Sequence, residues 1–171
     1  MPTLAPVSHD AFVTDIRTLA ERIAADPWRP HYLVGIGRGG LAPAAYLSHA
    51  TGLPLLSIDH STKLAAFGEK LLARIAAMTA AGTHMLLVDD INDSGRTIAH
   101  LRAGIAEAGG DPANLRAAVL ITNIRSGASA DYWAHSIDRA ADKRWFVFPW
   151  EAMAPHAAVI QDALDVPERL G

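Results

Sequence analysis

Met85-Leu86-Leu87-Val88-Asp89-Asp90-Ile91-Asn92-Asp93-Ser94-Gly95-Arg96-Thr97 brings an apolar run, three carboxylates and a short polar turn together within thirteen residues. Met85 to Val88 predict a buried strand, and Asp89-Asp90 stand at its C-terminal end. Asp93 then opens a loop that leads into a helix, because Ile98, Leu101, Ile105 and Ala108 recur at spacings of three and four. Gly109-Gly110 ends that helix as a C-terminal glycine should. In an open α/β sheet, ligands sit just beyond the carboxyl ends of the strands. Backbone N–H groups at a helix N-terminus have no intrahelical partners and favour an anion. The segment therefore offers a phosphate cradle beside carboxylates suited to sugar hydroxyls or a divalent cation.

The bulk properties narrow the class. A chain of 171 residues suits one domain, and a domain of that size buries about 70% of its unfolded surface. Half the residues are hydrophobic and 19% are charged, which is ordinary globular composition. A net charge of −3 gives no support to broad binding of nucleic acid or of an anionic membrane. Cysteine is absent, so disulfides and thiolate metal sites are excluded. The eight histidines are scattered without H-E-x-x-H or comparable spacing, which argues against a dedicated zinc site. No apolar run approaches the roughly 20 residues of a membrane span. Met1 to Pro6 lack the basic and hydrophobic regions of a signal peptide, so a cytoplasmic location is expected.

Working outward, residues 8–25 predict a helix with Ser8 as N-cap and an apolar stripe of Phe12, Ile16, Leu19 and Ile23. His31 to Ile36 reads as a first buried strand, Gly37 to Gly40 as a tight turn, Leu41 to Ala50 as a helix and Leu53 to Asp59 as a second strand. Together these form a βαβ unit. Leu71, Leu72, Ile75 and Met78 suggest a short helix within the segment 60–82. Leu115 to Thr122 is a fourth strand, Asn123 to Ala130 a loop, and Arg144 to Phe148 a last strand broken by Pro149. A short helix is expected over about 156–164. The fold class is α/β: one domain, mostly parallel sheet flanked by helices, with a core over about 8–125 and a small C-terminal hood over about 126–155.

Gly35-Ile36-Gly37-Arg38-Gly39-Gly40 satisfies G-x-G-x-x-G, and Asp59 lies about 20 residues on. A Rossmann-type NAD(P) site is thus a rival reading. It leaves the Asp-rich loop without a role and no second domain to carry a substrate. Walker A is missing, and Ser94 with His100 is a poor hydrolase pair because G-x-S-x-G is absent.

The strand, acidic pair and Asp93-Ser94-Gly95-Arg96-Thr97 loop resemble the phosphoribosyl-diphosphate signature of the type I phosphoribosyltransferases. Gly37-Arg38-Gly39-Gly40 is similar to their pyrophosphate loop. Asp131-Tyr132-Trp133, followed by Trp145 to Glu151, is similar to the tail of the purine branch, the xanthine/guanine/hypoxanthine type. The resemblance implies a purine phosphoribosyltransferase of purine salvage that moves ribose 5-phosphate from phosphoribosyl diphosphate to a purine base, with Mg²⁺, as a homodimer or homotetramer. It implies that Asp89 and Asp90 hold the ribose hydroxyls and help place Mg²⁺. Asp93, Ser94, Gly95, Arg96 and Thr97 would wrap the 5′-phosphate, with Asp93 also the general acid/base at purine N7. Gly37, Arg38 and Gly39 would take the pyrophosphate, in a loop that in this family often holds a non-proline cis peptide. Trp145 would lie against the base, and backbone groups near Phe146 and Val147 would read its edge.

One position departs from the pattern. The purine enzymes usually carry a lysine at the end of the fourth strand for the 6-oxo group, whereas this chain reads Thr122-Asn123-Ile124-Arg125. Asn123 or Arg125 is the expected substitute. The segment from His60 to Ala81 takes the place of the family's mobile lid, from which Lys63 or Lys70 could reach the pyrophosphate. The other class of function compatible with these residues is a phosphoribosyltransferase-fold regulator that binds the sugar diphosphate or a nucleotide without turnover.

Overall fold

The computed structural model describes residues 2–58 and 65–165, with the side chains of 65–69 outside the description. Strand β1 (Leu4–Pro6) is followed by α1 (His9–Ala25), β2 (Tyr32–Ile36), α2 (Gly37–Thr51) and β3 (Leu55–Ile58). Then come α3 (Ala65–Ala80), β4 (Met85–Asn92), α4 (Arg96–Glu107), β5 (Leu115–Asn123), β6 (Tyr132–Ile137), β7 (Trp145–Val147) and α5 (His156–Leu164). The main sheet has the order β3-β2-β4-β5-β6, with every pairing parallel.

Parallel strands covered on both faces read as continuous apolar runs, and β4 shows why. Leu86 and Val88 point into one core with Phe12, Ile16 and Leu19 of α1 and Ala44 and Leu47 of α2. Met85 and Leu87 point into the opposite core with Ile75 and Ala76 of α3 and Ile98, Leu101 and Ile105 of α4. Each of these β4 side chains is fully buried. Ser8 caps α1 as expected, its Oγ accepting the Ala11 N–H at 3.1 Å. Gly109, at φ 86°, closes α4 with a Schellman pair, Gly110 N–H to Ile105 C=O and Gly109 N–H to Ala106 C=O.

Four features differ from the sequence reading. The helix after β2 begins at Gly37 rather than Leu41, so the glycine run is the first turn of α2 and not a separate loop. No peptide bond among the described residues is cis. Strand β4 continues through the acidic pair to Asn92, because β5 is nine residues long and pairs with it as far as Asn92↔Thr122. Residues 65–80 form a 16-residue helix, and Ile75 and Ala76 lie in the core, so this part of the expected lid is a packed element. Lys70 is exposed on it; Asp59 and Lys63 lie outside the described residues.

The hood also differs in its boundaries. β6 belongs to the main sheet, and the hood strand β7 pairs instead with β1, Leu4↔Trp145 to Pro6↔Val147. The N-terminal segment therefore helps build the hood.

Candidate active site

The strand order corresponds to 2-1-3-4-5, whose topological switch point lies between β2 and β4. That order differs from the 3-2-1-4-5-6 of the dinucleotide fold, so the Rossmann reading loses its topology. β2 pairs with β4 only up to Gly35↔Val88 and then turns into α2, whereas β4 runs on beside β5. Asp89 and Asp90 are thus carried past the end of β2 on an open edge. A crevice at this point is dictated by the unequal strand lengths.

Two helices begin at the crevice, and neither N-terminus has a side-chain cap or an acidic residue in its first turn. Helix α2 lies close on β4: a Cβ at Gly40 would collide with the Val88 carbonyl, and one at Gly39 would come 2.5 Å from Asp90 Oδ2. The glycine turn and the acidic pair are therefore in contact. Arg38 is exposed on the first turn of α2. At the second helix Gly95 is the N-cap at φ 85°, a conformation only glycine adopts cheaply. Its α-carbon faces Ala128 and Ser126, where a Cβ would collide with the Ala128 amide. Gly127 N–H donates to Ser94 C=O at 3.1 Å, and Asn92 is buried and bonded to the Ala128 carbonyl at 2.8 Å. The 93–97 turn is thus braced from behind by residues 126–128. In front, the N-cap Gly95 brings no side chain to the first turn, and Ser94 Oγ accepts the Arg96 N–H over a long 3.4 Å.

One cleft gathers Asp89, Asp90, Ile91, Thr97, Arg139, Trp145, Phe146, Phe148 and Glu151. It unites five of the sequence-derived candidates from two separate stretches of the chain, Asp89, Asp90 and Thr97 with Trp145 and Phe146. Asp93 lies behind it, 5% exposed, with its carboxylate forked onto Arg139: Nε to both oxygens at 2.9 and 3.0 Å and Nη2 to Oδ2 at 2.9 Å. Arg139 is itself 6% exposed. Its Nη1 donates to the carbonyls of Asp142 and Arg144 at 3.2 and 2.6 Å, and its guanidinium lies 5.3 Å from the Phe146 ring centroid. Arginine is almost never buried unless paired, and here the pairing is complete on one edge.

The substitutes expected for the missing lysine lie elsewhere. Asn123 is buried and spends its amide on the backbone: Nδ2 donates to Asp93 C=O at 3.0 Å, and Oδ1 accepts from Arg125 and Arg139 N–H, each at 3.2 Å. Arg125 is paired on the surface with Asp138, at 2.5 and 3.0 Å. Neither lines the cleft; Asn123 instead borders a separate hollow with Ile124, Trp133 and Ser136. Along β7, Trp145 N–H donates to Thr3 C=O and Val147 C=O accepts from Val7 N–H. Strand alternation therefore turns the Phe146 backbone away from β1, and Val147 is the residue committed to the β1 edge.

Sequence reasoning missed Arg139 and Glu151. Arg139 meets Asp93 across 46 residues, a distance no local pattern reports. Glu151 was visible in the tail motif; its Oε2 accepts the Phe148 N–H at 2.8 Å, closing the turn that follows β7. The turn between β6 and β7 is fixed by two surface pairs. Hydrogen bonding from Arg125 holds the Asp138 carboxyl at about 2, and hydrogen bonding from Arg144 holds Asp142 at about 2.

The family model of the phosphoribosyl transferase domain matches residues 7–154. Among solved structures, the chain is similar to a purine phosphoribosyltransferase from Pyrococcus horikoshii (23% identity over 86% of this chain and 93% of that one, TM-score 0.62). It is similar to the xanthine-guanine-hypoxanthine phosphoribosyltransferase of Helicobacter pylori (19% identity, 85% and 92% covered, TM-score 0.61). A hypothetical protein from Neisseria gonorrhoeae with bound ppGpp matches over 98% of this chain and 97% of its own, at 19% identity and TM-score 0.66. At such identities the structural likeness establishes the shared fold, while the family match spans the glycine turn, the acidic pair, the polar loop and the hood strand. With its crevice at the switch point and that match over most of its length, the chain belongs to the phosphoribosyltransferase family.

Proposed function

We propose that the protein transfers ribose 5-phosphate from phosphoribosyl diphosphate to a purine base, releasing pyrophosphate, as an enzyme of purine salvage. The observation that carries this reading is the pair of uncapped helix N-termini on either side of Asp89-Asp90, one for each phosphate end of the donor. The amides of 94–97, with the Ser94 and Thr97 hydroxyls, take the 5′-phosphate; the first turn of α2 and Arg38 take the diphosphate. Asp89 and Asp90 hold the ribose hydroxyls between them.

Breaking the C1–diphosphate bond builds positive charge on the sugar and negative charge on the leaving group. Arg38 and the α2 amides stabilise that anion where it forms. Asp93 exchanges a proton with purine N7, a contribution of order 10² to 10⁴ in rate. Trp145 gives the base a face to stack on, and the outward Phe146 backbone reads its edge. Family members generally use Mg²⁺ with the sugar diphosphate, and the donor set suits this: two adjacent carboxylates on the cleft wall. Mg²⁺ is held in that manner, by one or two carboxylates together with substrate oxygens. Asp89 and Asp90 would hold it here, and it would supply neutralisation of the diphosphate charge.

Purified protein with phosphoribosyl diphosphate and Mg²⁺, offered hypoxanthine, guanine, xanthine and adenine separately, is expected to form a nucleotide with at least one of them. Absence of product with all four contradicts the reading. The second reading, nucleotide binding without turnover, draws on the ppGpp held by the similar neisserial protein. It predicts micromolar nucleotide binding alongside that absence of product.

A further inference from the structure

We propose that Arg139 is the positioning residue for Asp93, coupling the base-side hood to the acid/base carboxylate; this rests on the function proposed above. The coupling lies in the donors of the guanidinium. Of its five N–H groups, Nε and one on Nη2 grip the Asp93 carboxylate, and both on Nη1 are taken by the carbonyls of Asp142 and Arg144. The side chain is buried and its plane is fixed at two ends, which leaves it little rotamer freedom.

Those two ends belong to different parts of the site. Asp93 opens the phosphate turn after β4, whereas the Arg144 carbonyl immediately precedes Trp145 on β7. The guanidinium also lies over the Phe146 ring and lines the cleft itself. A second link runs parallel to the first: Asn123 joins the Asp93 carbonyl to the Arg139 N–H. Movement of β7 onto a base is therefore transmitted to the Asp93 carboxylate through one rigid fork. A carboxylate held this way keeps one orientation behind the cleft wall, so that on the function proposed above it meets N7 without first searching for a geometry.

A residue that acts through Asp93 loses its importance when Asp93 is already disabled. The test compares the wild type, Arg139→Gln, Asp93→Asn and the double variant by kcat, and by calorimetric Kd for phosphoribosyl diphosphate. Arg139→Gln is expected to lower kcat roughly 10²-fold and leave that Kd within about twofold, because the donor is held by other groups. Adding Arg139→Gln to Asp93→Asn is expected to change kcat by less than about threefold. Should Arg139→Gln strand the buried carboxylate and fail to fold, Arg139→Lys keeps the charge without the fork and replaces it, with at least a tenfold loss of kcat expected. Independent, multiplying losses in the double variant overturn the proposal, as does an unchanged or raised kcat in the single variant. If the wild type turns over no purine, the enzymatic reading fails by itself and GMP binding decides the role of Arg139. A tenfold weaker GMP Kd in Arg139→Gln with sugar-diphosphate binding retained supports the coupling, and an unchanged GMP Kd overturns it.

Discussion

The proposed sugar-phosphate side of the cleft is built mainly from backbone: the first turns of α2 and α4, with close contacts between Gly40 and Val88 and between Gly95 and Ala128. The proposed base side is assembled from distant segments: β1 pairs with β7, Asp93 meets Arg139, and Asn123 ties both to β5. The first kind of construction leaves no room for an added Cβ at Gly40 or Gly95, because backbone from another segment lies directly against each. The second depends on long-range hydrogen bonds, so its parts can be weakened one at a time.

Gly95→Ala should have the largest effect, because it adds a left-handed penalty of about 1–2 kcal/mol to a collision with the Ala128 amide. Urea denaturation is expected to show a loss of about 3 kcal/mol or more, with sugar-diphosphate binding lost as well. A stable variant with normal binding would mean that the phosphate turn is not built as described. On the base side, Asn123→Ala removes an amide that serves three backbone groups, and a loss of about 1–3 kcal/mol is expected. Steady-state kinetics should show the base KM moving far less than the melting temperature does. A large rise in KM without loss of stability would restore Asn123 as a base ligand.

The smallest effect concerns the β6–β7 turn. Asp138 and Asp142 titrate at about 2 in the folded protein against 3.8 ordinarily. A depressed carboxyl contributes stability that is present above its unfolded value and is lost as pH falls through the folded one. The turn should accordingly hold above about pH 4 and loosen between about pH 4 and pH 2. Carboxyl NMR titration should find both midpoints near 2; midpoints near 3.8 would show that the Arg125 and Arg144 pairs do not persist in solution. Exposed pairs of this kind contribute little to global stability.

This contrast also explains how much was legible beforehand. The acidic pair with the 93–97 turn, and the glycine run, are each a short continuous stretch that announces its backbone need by residue type, so the fold class and the place of the crevice could be read from β2 and β4 alone. Even there the element limits shifted, since nothing local shows that β5 is long enough to carry β4 through Asn92. The base side was legible only in part. Trp145 and Phe146 stand in a recognisable tail, but the expected use of Asn123 and Arg125 followed sequence position, and the fold turns both away from the cleft. Arg139 carried no signal because its partner lies in another segment. The hood strand β1 was missed for the same reason: three residues have no periodicity to read, and its pairing with β7 is set by the tertiary fold.

The most direct measurement is a crystal structure of the protein with phosphoribosyl diphosphate and Mg²⁺. The account predicts the 5′-phosphate on the amides of residues 94–97, the diphosphate on the first turn of α2 beside Arg38, and the ribose hydroxyls at Asp89 and Asp90. A donor bound elsewhere, or one whose phosphates touch neither helix N-terminus, would contradict it.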